Sequence, residues 1–280
     1  MIKKVLILGG SGYVGQHIAE LMNRRNEFHV AIGDITDNPK GNYPFIQLDV
    51  LDRDSVSKAI SDFDLMVNCT GQITRPINTC FRLNTSGIMN IIEPVLKYDK
   101  KLVHLSTVSV YGTCEVADET SELNPENPYA ACKSFAEYCI SSHLPVKNYS
   151  ILRLSNLYGE DQPKGFFAYL QKSFHSDQKL EFNNDGSLSR YFLHVNDCSR
   201  AVLLAVKKNL NGIYNVSGFE KYSIREIIRK VESYTGIPFD PEFASLKPVG
   251  NIDVLKSELF TSQTGFRPLH SIDDIIQAKF

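Results

Sequence analysis

Short apolar runs alternate with longer segments of helical periodicity along the first 157 residues of the chain. The apolar runs that we interpret as strands are 5–8, 30–34, 45–48, 65–69, 102–106 and 149–154. The segments that we interpret as helices are 13–23, 54–60, 80–96 and 130–142. Strands that alternate with helices form a parallel sheet with helices on both faces. The pattern therefore predicts an α/β fold built on a doubly wound parallel sheet.

From about Tyr158 the alternation weakens, and the remaining segments predict a small C-terminal cap that binds substrate. The predicted cap elements are a helix at 166–173, a strand at 179–182 and a helix at 224–234. A helix at 196–207 and a strand at 212–216 are expected to return to the main sheet. We therefore predict a sheet domain at 1–157, joined by 191–218, and a cap formed by 158–190 and 219–280.

Composition excludes several kinds of partner and site. The 280 residues are 42% hydrophobic, which is enough for a sizeable core. The formal net charge is −2 and no basic tract is present, so we expect no nucleic-acid partner. No stretch approaches the roughly 18 apolar residues of a membrane helix, so we expect no membrane association. The six cysteines lack Cys-x-x-Cys and zinc-site spacing, which predicts reduced thiols, a cytoplasmic location and no metal site.

A glycine-rich turn directly follows the first predicted strand. Gly9, Gly12 and Gly15 are spaced as Gly-x-x-Gly-x-x-Gly and lead into the first predicted helix. Glycines at these points let the chain reverse, let backbone N–H groups approach a pyrophosphate, and let the helix pack on its strand. The phosphates would lie at the helix N-terminus, where unpaired amides and the helix dipole favour an anion. The motif predicts a Rossmann-type dinucleotide-binding domain.

The choice of dinucleotide depends on Asp34, which ends the second predicted strand 19 residues after Gly15. A carboxylate at this place accepts hydrogen bonds from the ribose hydroxyls of the adenosine. The same charge would repel the additional phosphate of NADP, and none of the four residues after Asp34 is an arginine. We therefore predict NAD as the cofactor in preference to NADP.

Candidate catalytic groups follow the fifth predicted strand. Tyr129 and Lys133 lie four residues apart in a predicted helix, so their side chains project from one face. An ammonium beside a phenol stabilises the phenolate and lowers its pKa, and an oxidised nicotinamide acts in the same direction. Tyr129 could then act as a general acid or base near neutral pH. Thr107, at the end of the strand, would hydrogen-bond the same reacting oxygen. We predict these three residues to be catalytic.

With these motifs in this order, the chain resembles an extended short-chain dehydrogenase/reductase of the nucleotide-sugar epimerase/dehydratase family over essentially its full length. The resemblance implies an NAD site formed by Gly9, Gly12, Tyr13, Val14, Gly15, Asp34, Asp49, Val50, Cys69, Thr70, Gly71, Asn84, Tyr129 and Lys133. It also implies that Thr107 and Asn156 contact a nucleotide-sugar substrate and that Arg190 binds the substrate diphosphate. It further implies a homodimer in which helices 80–96 and 130–142 form a four-helix bundle between subunits.

Two features depart from the family pattern. Tyr191 stands where family members carry an aspartate after the arginine, and the chain is shorter than many epimerases. We interpret His194 as a buried structural histidine. For Arg267, a second phosphate ligand and an exposed structural arginine are both compatible with the sequence.

The two residues after Thr107 bear on the reaction. The 4,6-dehydratases of the family carry an Asp-Glu pair there, and the related decarboxylases keep the glutamate. Val108 and Ser109 take these positions, which disfavours both reactions. We predict an NAD-dependent nucleotide-sugar epimerase that transfers hydride transiently at C4 of a hexose. The alternative is an NAD(P)H-dependent 4-ketoreductase, and a non-catalytic NAD-binding sensor or scaffold is less favoured because Tyr129 and Lys133 are both present.

Overall fold

The computed structural model describes residues 2–37, 41–71, 75–176, 179–246 and 249–280. Its strands are β1 (Lys3–Leu8), β2 (Phe28–Asp34), β3 (Phe45–Gln47), β4 (Leu65–Asn68), β5 (Lys101–Thr107), β6 (Cys114–Ala117), β7 (Tyr149–Leu154), β8 (Asn156–Tyr158), β9 (Glu181–Phe182), β10 (Ser189–His194), β11 (Gly212–Val216), β12 (Lys221–Ser223), β13 (Glu242–Phe243) and β14 (Ile252–Leu255). Its α-helices are α1 (Tyr13–Asn23), α2 (Arg53–Ser61), α3 (Ile77–Arg82), α4 (Ile88–Lys97), α5 (Pro128–His143), α6 (Phe166–Phe174), α7 (Val195–Lys207), α8 (Ile224–Thr235), α9 (Glu258–Thr264) and α10 (Ile272–Lys279).

Within the described ranges, the main sheet contains seven parallel strands in the order β11-β7-β5-β4-β1-β2-β3. The chain builds outward from β1 to β3 and then crosses back to β4 on the other side of β1. Loops after β1 and β4 therefore diverge at this point and leave a crevice at the carboxyl ends of the strands, where ligands bind in such folds. The predicted Rossmann-type doubly wound sheet is confirmed.

Apolar clusters cover both faces of the main sheet. On one face, Ile18 of α1 and Val202 of α7 pack in the same buried cluster as Val5 and Ile7 of β1. On the other face, the buried side chains of α2, α4 and α5 pack against the opposite side of the strands. Alternate residues of each strand therefore point into different clusters, as the pleat of a fully buried strand requires.

The segment predicted as one helix over 80–96 is interrupted. The helical run consists of α3, a π-helical segment at Leu83–Gly87, and α4. The Asn84 side-chain amide donates to the carbonyl oxygens of Cys80 and Gly71, at 2.9 and 3.1 Å. The Asn84 side chain therefore bonds the same Cys80 carbonyl that accepts from the Asn84 backbone N–H in a regular α-helix.

The cap has a core of its own. Phe167 and Leu170 of α6 pack with Phe192 of β10 and with buried isoleucines of α8 and α10. The domain boundaries stay a prediction, and two packing features bear on them: Phe192 of the range 191–218 packs in the cap cluster, and α9 does not join that cluster. Phe260 and Phe266 are buried in the core of the main sheet instead, although both lie within the range 219–280 that the sequence assigned to the cap.

Candidate functional site

The carboxyl ends of the main-sheet strands open onto a cavity of about 750 Å³ between the sheet and the cap. Most of the predicted site residues line it, namely Gly9, Gly12, Tyr13, Val14, Gly15, Asp34, Asp49, Val50, Cys69, Thr70, Gly71, Thr107, Tyr129 and Asn156. Asn84, Lys133 and Arg190 are not among the lining residues. The tertiary structure thus brings together segments that are up to about 150 residues apart in the sequence.

The three glycines of the first turn differ in what surrounds them. Gly9 has φ +74°, a left-handed conformation that favours glycine. A Cβ on Gly15 would lie 2.5 Å from the Gly9 carbonyl oxygen and 2.7 Å from the Gly10 Cα, so α1 packs directly on the turn. A Cβ on Gly12 would meet the Gly9 carbonyl oxygen alone, at 3.2 Å, among the described atoms within 4 Å. Gly12 therefore presents its backbone to the cavity.

The N-terminus of α1 is suited to an anion. Gly12 caps the helix without a side-chain hydrogen bond, and the first turn of α1 contains no acidic residue. The first amides of α1 consequently face the cavity end of the turn with neither a capping oxygen nor a competing carboxylate. These features fit the pyrophosphate of a dinucleotide.

Two acidic residues lie at the carboxyl ends of β2 and β3, on one side of the crevice. Asp34 accepts hydrogen bonds from the backbone N–H groups of Ser11, at 3.0 Å, and Thr36, at 3.3 Å. These bonds fix its carboxylate against the glycine turn, at the edge of the cavity. Asp49 is exposed and accepts from the Leu51 N–H at 2.9 Å, which leaves carboxylate lone pairs for a ligand. Both positions fit the adenosine end of NAD.

The loop after β4 is held by amide side chains. Asn68 accepts from the backbone N–H and the hydroxyl of Thr70, at 3.0 and 2.7 Å. Gly71 has φ +76°, and a Cβ there would lie 2.5 Å from the Asn84 side-chain oxygen. Asn84 therefore supports this loop from behind, and its predicted direct contact with NAD stays a prediction. Burial raises the pKa of the Cys69 thiol to about 12, so Cys69 lines the cavity as a neutral group.

Thr107 and Tyr129 approach the cavity from two different elements. Thr107 ends β5, and its hydroxyl oxygen accepts from the Ser109 N–H at 3.2 Å. Tyr129 lies in the first turn of α5, where Pro128 begins the helix and the Asn127 side chain accepts from the Ala130 N–H at 2.9 Å. Proline and an asparagine cap both stabilise a helix start, so Tyr129 is presented from an ordered turn.

Lys133 lies one turn below Tyr129 and is fully buried. Its ammonium donates to the carbonyl oxygens of Leu105, at 3.0 Å, and Thr70, at 3.1 Å. Burial lowers the pKa of Lys133 from 10.5 to about 8, although nearby acidic groups, Cys69 first, act in the opposite direction. The side chain is therefore mostly protonated at neutral pH and ties α5 to the ends of β4 and β5.

Three further predicted residues lie outside the cavity lining. The Arg190 guanidinium donates to the carbonyl oxygens of Gly250, at 2.8 Å, and Val249, at 3.1 Å. A contact between Arg190 and a substrate diphosphate stays a prediction, and it requires these bonds to be exchanged. His194 is buried and accepts from the Asn196 N–H through Nδ1, while Nε2 lies 3.1 Å from Glu160. Arg267 is exposed.

The cap side of the cavity contains residues that the sequence did not single out. Ser155 and Gln162 both line the cavity, and among the described residues the Ser155 hydroxyl and the Gln162 side-chain oxygen have no hydrogen-bond partner. Of the three cap aromatics on which the sequence makes sugar specificity depend, Phe166 and Phe167 line the cavity and Phe182 does not. Ser155 could have been found beside Asn156 in its motif. Nothing local marks Gln162, because the cap loop alone brings it to the cavity.

The described part of the chain contains no cluster of His, Cys, Asp and Glu suited to a metal ion. None of its helices has the length and apolar character needed to cross a membrane. The six cysteines, all within the described ranges, are free thiols.

Comparison with known proteins agrees with this geometry. The sequence profile of the NAD dependent epimerase/dehydratase family matches residues 5–217. A putative UDP-glucose 4-epimerase of Methanocaldococcus jannaschii is 29% identical, over 83% of this chain and 82% of the relative. A UDP-N-acetyl-alpha-D-glucosaminuronate decarboxylase of Bacillus cytotoxicus is 26% identical, over 84% of this chain and 81% of the relative.

A solved structure gives the same result for the fold. The UDP-glucose 4-epimerase of Thermus thermophilus, crystallised in complex with NAD, is 27% identical and superposes with a TM-score of 0.84. The match covers 99% of this chain and 97% of the other. The enzyme class and the NAD cofactor expected from the sequence are both confirmed. The chain belongs to the NAD-dependent epimerase/dehydratase family of sugar-nucleotide enzymes.

Proposed function

We propose that this protein is an NAD-dependent epimerase that inverts C4 of a hexose carried by a nucleoside diphosphate. The observation that carries the proposal is the distribution of acid and base groups around the cavity. Among the described lining residues, the carboxylates are Asp34, which ends β2, and Asp49, which follows β3. The wall formed by Thr107, Ser109 and Tyr129 follows β5 and begins α5, and it contains no carboxyl group.

This distribution favours chemistry at C4 alone. Elimination of water from C5 and C6 needs a further acid and base beside the sugar. At the family's positions for that pair, Val108 is buried and Ser109 accepts a hydrogen bond from the Thr107 hydroxyl at 3.2 Å. Near neutral pH, neither side chain can act as the base that removes a carbon-bound proton or as the acid that the elimination needs. The 4-epimerases among the relatives support the same conclusion.

In the proposed mechanism Tyr129 removes the proton from the C4 hydroxyl and later returns it to the same oxygen. Thr107 hydrogen-bonds that oxygen and holds it beside the phenol. Lys133 stays protonated behind Tyr129 and stabilises its phenolate. When bound, NAD supplies a reversible hydride acceptor for C4. The apolar cap wall includes Phe166 and Phe167, and it excludes water while the keto sugar rotates to present its opposite face.

The first experiment identifies what the purified protein carries and what it converts. The protein is denatured, and the released molecules are identified by mass spectrometry. It is then incubated with UDP-glucose and UDP-galactose without added cofactor. We expect retained NAD and interconversion of the two sugars, or of another C4-epimeric pair in a panel of nucleotide sugars. An empty protein that consumes NAD(P)H with a 4-keto sugar would instead support the ketoreductase.

Substitution of Tyr129 tests the assigned base. We expect Tyr129→Phe to retain NAD and to lower kcat by about 10²–10⁴-fold, because the phenol exchanges the C4 proton. Tyr234→Phe is the control, since Tyr234 of α8 is 53% exposed and does not line the cavity. Near-normal turnover by Tyr129→Phe would show that another group is the acid/base. Retained NAD without turnover on any sugar would favour the sensor or scaffold.

We also propose that the protein is a homodimer. Large apolar side chains are exposed on α3 and α5, which contact each other, at Ile77, Phe81, Phe135 and Tyr138. On each helix the two residues are three or four positions apart and so share a face. Exposed apolar faces on two neighbouring helices support association with a second copy. The six free thiols support the expected cytoplasmic location.

A further inference from the structure

A buried polar network lies beneath the catalytic helix, and the proposed reaction does not account for it. Glu137 follows Lys133 by four residues and Tyr129 by eight, so the three project from one face of α5. The Glu137 carboxylate accepts from Arg153 of β7 through both oxygens, with Nε 3.2 Å from Oε1 and Nη2 2.7 Å from Oε2. It also accepts from the hydroxyl of Ser106. The side chains of Arg153 and Glu137 are only 4% and 3% exposed.

The network continues to the turn that follows Thr107. Arg153 Nη1 donates to the Tyr111 hydroxyl at 2.7 Å, and that hydroxyl donates to Asn215 at 2.8 Å. Tyr111 is the last residue of the 3₁₀ turn Val108–Tyr111, and Asn215 belongs to β11. One guanidinium therefore connects α5, β5, β7, β11 and the turn after Thr107. Two of these elements carry Tyr129 and Thr107.

Stability alone gives little reason for such a pair. Removing two charges from water is costly, and apolar residues of similar volume commonly replace a buried ion pair without loss of stability. Catalysis does give a reason, because acid/base groups must be held within fractions of an ångström of their working positions. A bidentate guanidinium–carboxylate pair fixes both distance and orientation.

The surroundings of Lys133 give Glu137 a second effect. The titratable groups that face the ammonium are Cys69 after β4, Cys80 on α3, His104 on β5, and Cys132 and Glu137 on α5. Burial raises the pKa of Cys132 to about 11, and burial together with Lys133 holds the pKa of His104 well below its ordinary value. Glu137 is the carboxylate in this set, and its charge raises the pKa of Lys133 against the effect of burial.

We propose that Glu137 and Arg153 are positioning residues, which hold Lys133 and Tyr129 in register with Thr107 through the buried guanidinium–carboxylate pair. The proposal rests on the proposed function for the roles of the three catalytic residues. Neither Glu137 nor Arg153 contacts substrate in this scheme.

The test is a pH titration of the Tyr129 phenol in the NAD-loaded protein. The signal is the near-ultraviolet absorbance of the phenolate, taken as the part that is absent from the Tyr129→Phe protein. We expect Glu137→Gln to raise the midpoint by about one pH unit, because a displaced or discharged Lys133 no longer stabilises the phenolate. We also expect kcat to fall by about 10–100-fold while KM changes by less than about twofold. Asp197→Asn is the matched control, since Asp197 is a buried carboxylate paired with Arg200. It should lower the melting temperature without moving the midpoint.

A double variant separates positioning from stability. Glu137→Leu with Arg153→Met removes both charges, leaves no unpaired ion, and is expected to fold even if Glu137→Gln does not. Positioning predicts a raised Tyr129 midpoint in the double variant. A purely structural role predicts a wild-type midpoint there, which would overturn the proposal. The titration needs no sugar, so absence of epimerisation by the wild-type protein would refute the proposed function and leave this comparison decisive.

Discussion

Alanine at Gly15 and at Gly12 should have different effects, because the two glycines serve different contacts. At Gly15 the new Cβ would lie 2.5 Å from the Gly9 carbonyl oxygen and 2.7 Å from the Gly10 Cα. Both are backbone atoms, so no side-chain rotation relieves the overlap and α1 must move away from β1. At Gly12 the nearest atom is 3.2 Å away and φ is −74°, which alanine adopts readily.

The expected magnitudes follow from these distances. Overpacking costs about 1–3 kcal/mol, and contact with backbone favours the upper end of that range. Alanine regains about 1 kcal/mol of helix propensity, because Gly15 lies within α1. We therefore expect Gly15→Ala to lower stability by about 2 kcal/mol and the melting temperature of the NAD-free protein by about 4–8 °C. Gly12→Ala should leave that temperature within about 2 °C of wild type.

For NAD binding the order should be reversed, with Gly12→Ala having the larger effect. The Gly12 methyl would occupy the space through which the pyrophosphate reaches the helix amides, so we expect NAD affinity to fall by at least about tenfold. Calorimetric unfolding of the NAD-free protein and calorimetric titration with NAD measure the two effects separately. A Gly15→Ala protein as stable as wild type, or a Gly12→Ala protein that binds NAD normally, would refute the assigned contacts.

Three further outcomes are expected. Asp34→Ala should narrow the preference for NAD over NADP by about tenfold or more, measured as the ratio of dissociation constants, because the repelling carboxylate is gone; an unchanged ratio would contradict the role of Asp34. Folding lowers the pKa of Lys133 to about 8, so between about pH 8 and pH 10.5 the unfolded chain binds more protons than the folded protein. The free energy of unfolding of wild type, measured relative to that of Lys133→Met, should therefore rise with pH across this window, by about 3 kcal/mol in total. Denaturant unfolding at several pH values checks this, and a flat difference would exclude it. We expect the proposed dimer to become a monomer in light scattering when Phe135 is changed to Glu, because Phe135→Glu places a charge on the exposed apolar face of α5. A mass equal to that of the wild-type protein would contradict the proposed interface.

Local patterns were sufficient for much of the site. The spacing of Gly9, Gly12 and Gly15 specifies a tight turn and a helix start, and both depend on interactions within a few residues. Tyr129 and Lys133 share a face because any helix places residues four apart together. These positions could be read from the sequence because neighbouring residues alone define their geometry.

Other features depended on contacts between distant segments. Nothing near Glu137 indicates that Arg153 pairs with it, or that Arg153 also donates to Tyr111, because these contacts require α5 to lie across β5 and β7. Arg190 has the sequence context of a phosphate ligand, yet its guanidinium donates to carbonyl groups about 60 residues further along the chain.

The sequence by itself determined the sheet, the cofactor turn and the positions of Thr107, Tyr129 and Lys133, because apolar periodicity and short spacings encode local geometry. Only the tertiary structure decided that α9 packs in the main core, that Gln162 reaches the cavity, and that a buried ion pair joins α5 to β7. Packing of segments far apart in the chain sets these contacts, and no local propensity specifies which partner a buried side chain will meet.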